Sequence, residues 1–151
     1  MFYLSYNKEM GFSLLELMVV VTIVGLIGAV AIPSYQESIR SSKRTDAKTA
    51  LLSLKLEQER FRSHCTEYAP SFSSVEVCDK RVPANNRIIF PVNSSNGYYT
   101  IELIGVTSGV EYHATATPDL GSSQAEDSCV VFAIDQNGED HAEGYADATC
   151  W

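Results

Sequence analysis

No lysine or arginine follows Arg87, although the last 64 residues hold ten acids. Neutralising phosphates takes cations, so this C-terminal half is a poor candidate for binding nucleic acid. The patterns GxSxG, HExxH and the P-loop are missing, and His64, His113 and His141 are scattered without triad or ligand spacing. Those absences remove the usual signatures of serine hydrolases, zinc proteases and nucleotide-phosphate enzymes. There is no CxxC pair either, which leaves metal binding weak. The acidic turn Asp135, Asn137, Glu139, Asp140 fails the EF-hand pattern, because the sixth and twelfth places hold Asp140 and Ala146. We expect no enzyme activity, no cofactor and no metal. Glycine and proline are also missing from Ser34 to Ala69, so nothing in that stretch stops a helix.

What is present is concentrated near the N-terminus, in GFSLLELMVVVTIVGLIGAVAIP from Gly11 to Pro33. Phe12 to Ile32 is 21 residues, of which 13 are Phe, Leu, Ile or Val. As a helix the run is about 31 Å long, enough to cross a hydrocarbon core of about 30 Å. Those residues contribute roughly −4 to −8 kcal/mol to insertion. The one acid, Glu16, costs at most about 2.5–3.5 kcal/mol, and less near the end of the span. Insertion wins, and Glu16 needs a positive partner. On these residues alone, a plain single-span anchor and a cleaved signal remain the alternatives.

Gly11-Phe12-Ser13-Leu14-Leu15-Glu16, the apolar run and Pro33-Ser34-Tyr35 together resemble the N-terminus of type IV prepilins, the family of pilins and pseudopilins. That resemblance implies cleavage between Gly11 and Phe12 by a prepilin peptidase and N-methylation of Phe12. The mature chain would run from 12 to 151. Cleavage creates an amine on Phe12 with an ordinary pKa near 7.7–8.0. Glu16 lies four residues on, in the first helical turn, where a negative charge is favoured. It can pair with that amine or, as the resemblance implies, with the amine of a neighbouring subunit during assembly.

Cations Arg40, Lys43 and Arg44 lie just beyond the span, whereas the leader carries only Lys8. Counting cations alone would place the far side inside. The cysteines and the cleavage motif place it outside: a single-pass inner-membrane protein with a periplasmic head, later part of an extracellular pilus. Residues 34–87 are net +3 and the remainder strongly acidic, so we expect the basic shoulder of one subunit to face the acidic flank of another.

Ala47, Ala50, Leu51, Leu54 and Phe61 recur at spacings of three and four, an apolar stripe on a helix running from Phe12 to about His64. Pro33 removes the hydrogen bond to the Ala29 carbonyl and is expected to kink it. An irregular segment from Tyr68 to Asn96 follows. Strands are expected at Gly97–Val106, Glu111–Thr117 and Ser128–Ile134, with turns at Thr107-Ser108-Gly109 and Asp135–Gly138. The fold class is α+β: a long helix packed on three or four antiparallel strands. Its divisions are the leader (1–11), the transmembrane and assembly half (12–33), and the amphipathic half with the globular head (34–151).

Four cysteines in an exported domain imply two disulfides, with three connectivities open. Pairing sequence neighbours favours Cys65–Cys78 and Cys129–Cys150. The ending Asp127-Ser128-Cys129, Asp135-Gln136-Asn137-Gly138, Cys150-Trp151 resembles that of minor pilins of the PilE type. The implied function is a structural, minor pilus subunit, in a fibre serving motility, adhesion, DNA uptake or secretion. Implied partners are other pilin subunits, the prepilin peptidase, the inner-membrane assembly machinery and, before assembly, membrane lipid. A type II secretion pseudopilin and a non-polymerising membrane-anchored binding module are the alternatives.

Overall fold

The computed structural model describes residues 11–72, 88–107 and 109–151. The chain divides into two units, Met1–Ser38 and Ile39–Trp151. Helix α1, Leu14–His64, runs through both. It starts two residues later than the apolar run, because Ser13 sits before the first turn and its carbonyl accepts the Leu17 amide at 3.1 Å. Glu16 in the first turn, and Arg62 with His64 in the last, match the helix dipole at both ends. Pro33 lies inside the helix. In the first unit the apolar side chains from Leu14 to Ile32 are exposed.

In the second unit α1 packs on a four-stranded antiparallel sheet: β1 (Tyr99–Thr107), β2 (Glu111–Pro118), β3 (Phe132–Asp135) and β4 (Glu139–Asp140), adjacent in chain order. Alternation buries Tyr99 and Ile101 on β1, Tyr112, Ala114 and Ala116 on β2, and Phe132 and Ile134 on β3. These side chains form one core with Ala47, Leu51, Leu54 and Phe61 of the helix. Each large aliphatic residue buried there contributes about 1.5–3 kcal/mol. Alanines on both layers let helix and sheet approach closely.

β1 and β3 begin later than the sequence expectation, β1 takes in Thr107 from the expected turn, and β4 has no counterpart among the expected strands. β1 begins at Tyr99 rather than Gly97, because Gly97 has φ +71° and closes a turn whose amide donates to Ser94. β3 begins at Phe132 rather than Ser128. The preceding backbone is committed elsewhere: the Cys129 amide donates to Asp127, and the Val131 carbonyl accepts from Ala146. A disulfide joins Cys129 to Cys150. Cys65 is also disulfide-bonded, while Cys78, the partner expected for it, lies outside the described residues. At the β3–β4 turn Asp135 accepts the amides of Asn137 and Gly138, at 2.7 and 2.8 Å. Its carboxylate thereby closes the hairpin.

Gly109 follows β1 at φ +71°, and its carbonyl accepts the Tyr68 amide at 2.7 Å. A Cβ there would sit 2.6 Å from that of Glu67, whereas one on Gly97 would meet nothing within 4 Å. Both positions disfavour a side chain, but only Gly109 adds a clash. Gly109→Ala is expected to destabilise the protein by about 2–3 kcal/mol and Gly97→Ala by about 1. Thermal unfolding of the two variants measures the difference, and equal losses would remove the steric account.

Candidate functional site

Two features of α1 carry functional chemistry: its bare apolar half and the polar contacts that hold its other half in the head. In the apolar half no part of the membrane-length window is buried. Gly11, Phe12 and Ser13 precede the helix and are exposed, as is Glu16. No described residue forms an ion pair with Glu16, and in the uncut chain residue 12 has only a peptide nitrogen to offer. The sequence therefore brings Gly11, Phe12 and Glu16 into one short stretch, with a carboxylate one turn from the expected cut.

The second half of α1 is gripped from two sides. Arg44 is buried and forks onto Asp127, with Nη2 at 2.6 Å from Oδ1 and Nε at 3.0 Å from Oδ2. Gln124 donates to Asp127 at 3.1 Å, to the Tyr99 hydroxyl at 2.9 Å and to the Arg40 carbonyl at 3.1 Å. Burial alone would push the Asp127 carboxyl up. The Arg44 guanidinium and the Cys129 amide outweigh it and hold the group below the ordinary carboxylate value. Burial pushes the Tyr99 hydroxyl up to about 12. Two residues beyond Arg44, Asp46 accepts from the Ser94 hydroxyl at 2.5 Å and from Asn96 through amide and side chain. Arg44 and Asp46 project in different directions and tie different loops to one helical turn. Farther along, Gln58 pairs with Ala69 through both atoms of its amide, fixing the chain as it leaves the helix.

Read from the sequence, Arg44 stands only as a cation beyond the span and Asp127 only within a C-terminal motif, and neither the burial nor the pairing of these polar residues is foreseen. A signal existed: Arg44 and Gln58 each stand seven residues from Leu51, and thus on the apolar stripe. Three cations of the basic shoulder have partners inside the head. Arg40 pairs with Glu126 at 2.8 Å, Lys43 reaches Ser123 and lies over the Tyr98 ring, and Arg44 is buried on Asp127. Lys80, Arg81 and Arg87 of the same shoulder lie outside the described residues.

Two family models match this chain. One, described as "Type IV minor pilin ComP, DNA uptake sequence receptor", matches residues 33–133. The other, described as "Prokaryotic N-terminal methylation motif", matches residues 7–32. Over 90 residues the chain is 33% identical to the type IV major pilin protein PilA of Myxococcus xanthus, covering 60% of this chain and 40% of that one. Over 39 residues it is 46% identical to fimbrial protein Q of Moraxella bovis, covering 26% of this chain and 25% of the relative. The chain thus spans less than half the length of these relatives. A type IV pilin structure from Shewanella oneidensis is similar with a TM-score of 0.48 at 18% identity, over 74% of this chain and 97% of that one.

Proposed function

The chain belongs to the type IV pilin family, and from that premise we propose that it is a minor structural subunit of a type IV pilus. The observation that carries this reading is the coincidence of the methylation motif over residues 7–32 with an apolar helix half that the chain itself leaves uncovered. Before assembly, membrane lipid covers residues 12–32 and the head stands on the periplasmic side. Prepilin peptidase then cuts between Gly11 and Phe12, and Phe12 is N-methylated. In the fibre, neighbouring pilins replace lipid around the same residues, and Glu16 neutralises a Phe12 amine. Pro33 supplies a weak point in the helix where packing can bend it. The role is structural, with no catalytic step assigned to the chain.

Mass spectrometry of the membrane and fibre fractions tests the reading. We expect a chain starting at methylated Phe12, present in sheared fibres at lower abundance than the main subunit. A retained leader in both fractions would instead support a plain membrane-anchored module and overturn the proposal.

The description of the matching family favours a second role, reception of DNA. Charge restricts where such contact can occur. β2, β3, β4 and the C-terminal tail carry no cation, so DNA would have to meet residues between Ser34 and Arg87.

A further inference from the structure

The chain contains two Asn-Gly steps, Asn96-Gly97 and Asn137-Gly138. Such a step is a weak point toward water. The glycine nitrogen can attack the asparagine side-chain carbon, ammonia leaves, and water opens the resulting ring; glycine has no Cβ to hinder the approach. Both asparagines are exposed, so burial protects neither. In each case, however, an aspartate holds groups that would react. At the β3–β4 turn Asp135 Oδ1 accepts the Gly138 amide at 2.8 Å, and its Oδ2 accepts the Asn137 side-chain nitrogen at 3.0 Å. At the other step Asp46 Oδ1 accepts the Asn96 side-chain nitrogen at 3.0 Å, and the Ser94 carbonyl accepts the Gly97 amide at 2.9 Å. Burial alone would raise the Asp135 carboxyl, but the Gly138 amide and the Asn137 side chain and amide outweigh it and hold the group below the ordinary carboxylate value. Asp135 therefore grips the turn as an anion.

We propose that Asn137 is a latent deamidation site kept shut by the Asp135 carboxylate, and that Asp46 does the same for Asn96. In the reaction a bond forms between the Gly138 nitrogen and Asn137 Cγ, the Cγ–Nδ2 bond breaks, and the proton lost by the glycine amide leaves with ammonia. Water then opens the succinimide ring to aspartate or isoaspartate. Attack requires the Gly138 nitrogen to lose its proton, and a negative charge 2.8 Å from that nitrogen opposes the loss. Departure requires the Asn137 amine to swing free and gain a proton, which an ionised carboxylate cannot give. The Lys55 ammonium acts the other way: it lies 3.8 Å from where a Gly138 Cβ would stand, and a cation favours loss of the amide proton. The carboxylate touches the amide itself and outweighs it. The product matters for the fold. Isoaspartate adds a methylene to the main chain between Ile134 and Glu139, which pair across the hairpin, and either product adds a charge beside Asp135. The turn then loosens and β4 is released.

The test follows the purified full-length chain in detergent at mildly alkaline pH, with peptide mass spectrometry distinguishing Asn, Asp and isoaspartate at positions 96 and 137. Asp135→Asn keeps the shape of the turn and an oxygen for the Gly138 amide, but sets an amine against the Asn137 side chain. In this variant we expect Asn137 to convert about tenfold or more faster than in the wild type, as a charge-assisted hydrogen bond is lost. Asn96 should keep its wild-type rate and the unfolding temperature should stay near the wild-type value. In urea, where both clamps are released, both steps of the wild-type chain are expected to speed up. Wild-type Asn137 converting as fast folded as unfolded would overturn the proposal. So would an Asp135→Asn rate at or below the wild-type one, or equal acceleration at Asn96. None of these rates depends on entry into a fibre.

Discussion

Replacing Glu16 with alanine is expected to leave Phe12 as the mature N-terminus while removing the chain from fibres. On the proposed reading Glu16 is called on only after cleavage, once an amine exists to be neutralised. In lipid the amine of the new terminus can stay near the water interface, and a missing partner costs little. Inside a bundle of apolar helices it cannot. Breaking a buried ion pair by deleting one partner costs about 3–5 kcal/mol, which is a hundredfold or more in an association equilibrium. Glu16→Gln keeps the shape and loses the charge, so it should fail as alanine does. Immunoblots of sheared fibres against the membrane fraction measure both variants, with N-terminal mass as the processing control. Normal incorporation of either variant would remove the ion-pair role.

The largest effect on stability is expected at Asp127. Asp127→Asn leaves Arg44 beside a neutral amide with little access to water, for a loss of about 3–5 kcal/mol. Arg44→Met combined with Asp127→Leu should recover part of the loss by removing both charges. Recovery stays incomplete because the Cys129 amide and Gln124 then lose an acceptor. Urea unfolding of the three variants measures the coupling between the two residues. The same pair sets the acid limit. The folded-state pKa of Asp127 is lowered, so its contribution is full above the unfolded value, about 3.9. It fades as pH falls through the folded value. Tyr99 acts at the alkaline end in the opposite sense, alongside Tyr112, whose hydroxyl burial raises further still: the Tyr99 pKa is raised to about 12, so the stability it lends is full below about 10 and fades as pH rises toward 12. Asp127→Asn should flatten the acid limb of a melting-temperature profile and also weaken the alkaline limb, because the Asp127 charge is one of the causes that hold the Tyr99 pKa up.

The α+β class, the long helix, its inner stripe and the order of the first three strands were legible, because each is written in local periodicity, whereas the two residues of β4 are too few to show any. Ala47, Leu51, Leu54 and Phe61 face the core for the same reason they could be found: helical spacing. The start of β3 was not legible. Cys129-Val130-Val131 has strand composition, and only long-range claims on its backbone from Asp127 and Ala146 keep it out of the sheet. The fate of Arg44 and Asp46 was hidden likewise. Their partners lie 83 and 48 residues away, beyond any local pattern. For the assembly segment the position was different. Glu16, Phe12 and Gly11 are adjacent in the chain, so their arrangement could be read without knowledge of the head.

Arg44 and Asp46 fasten opposite loops to a single turn of the helix, and Gln58 fastens the chain again nearly four turns farther on. In the fibre proposed above, tension along α1 would pass into the rest of the head through these contacts. Load shared between a bidentate fork on one flank and a carboxylate cradle on the other does not peel the sheet away strand by strand. Rupture then requires several charged contacts to fail at once.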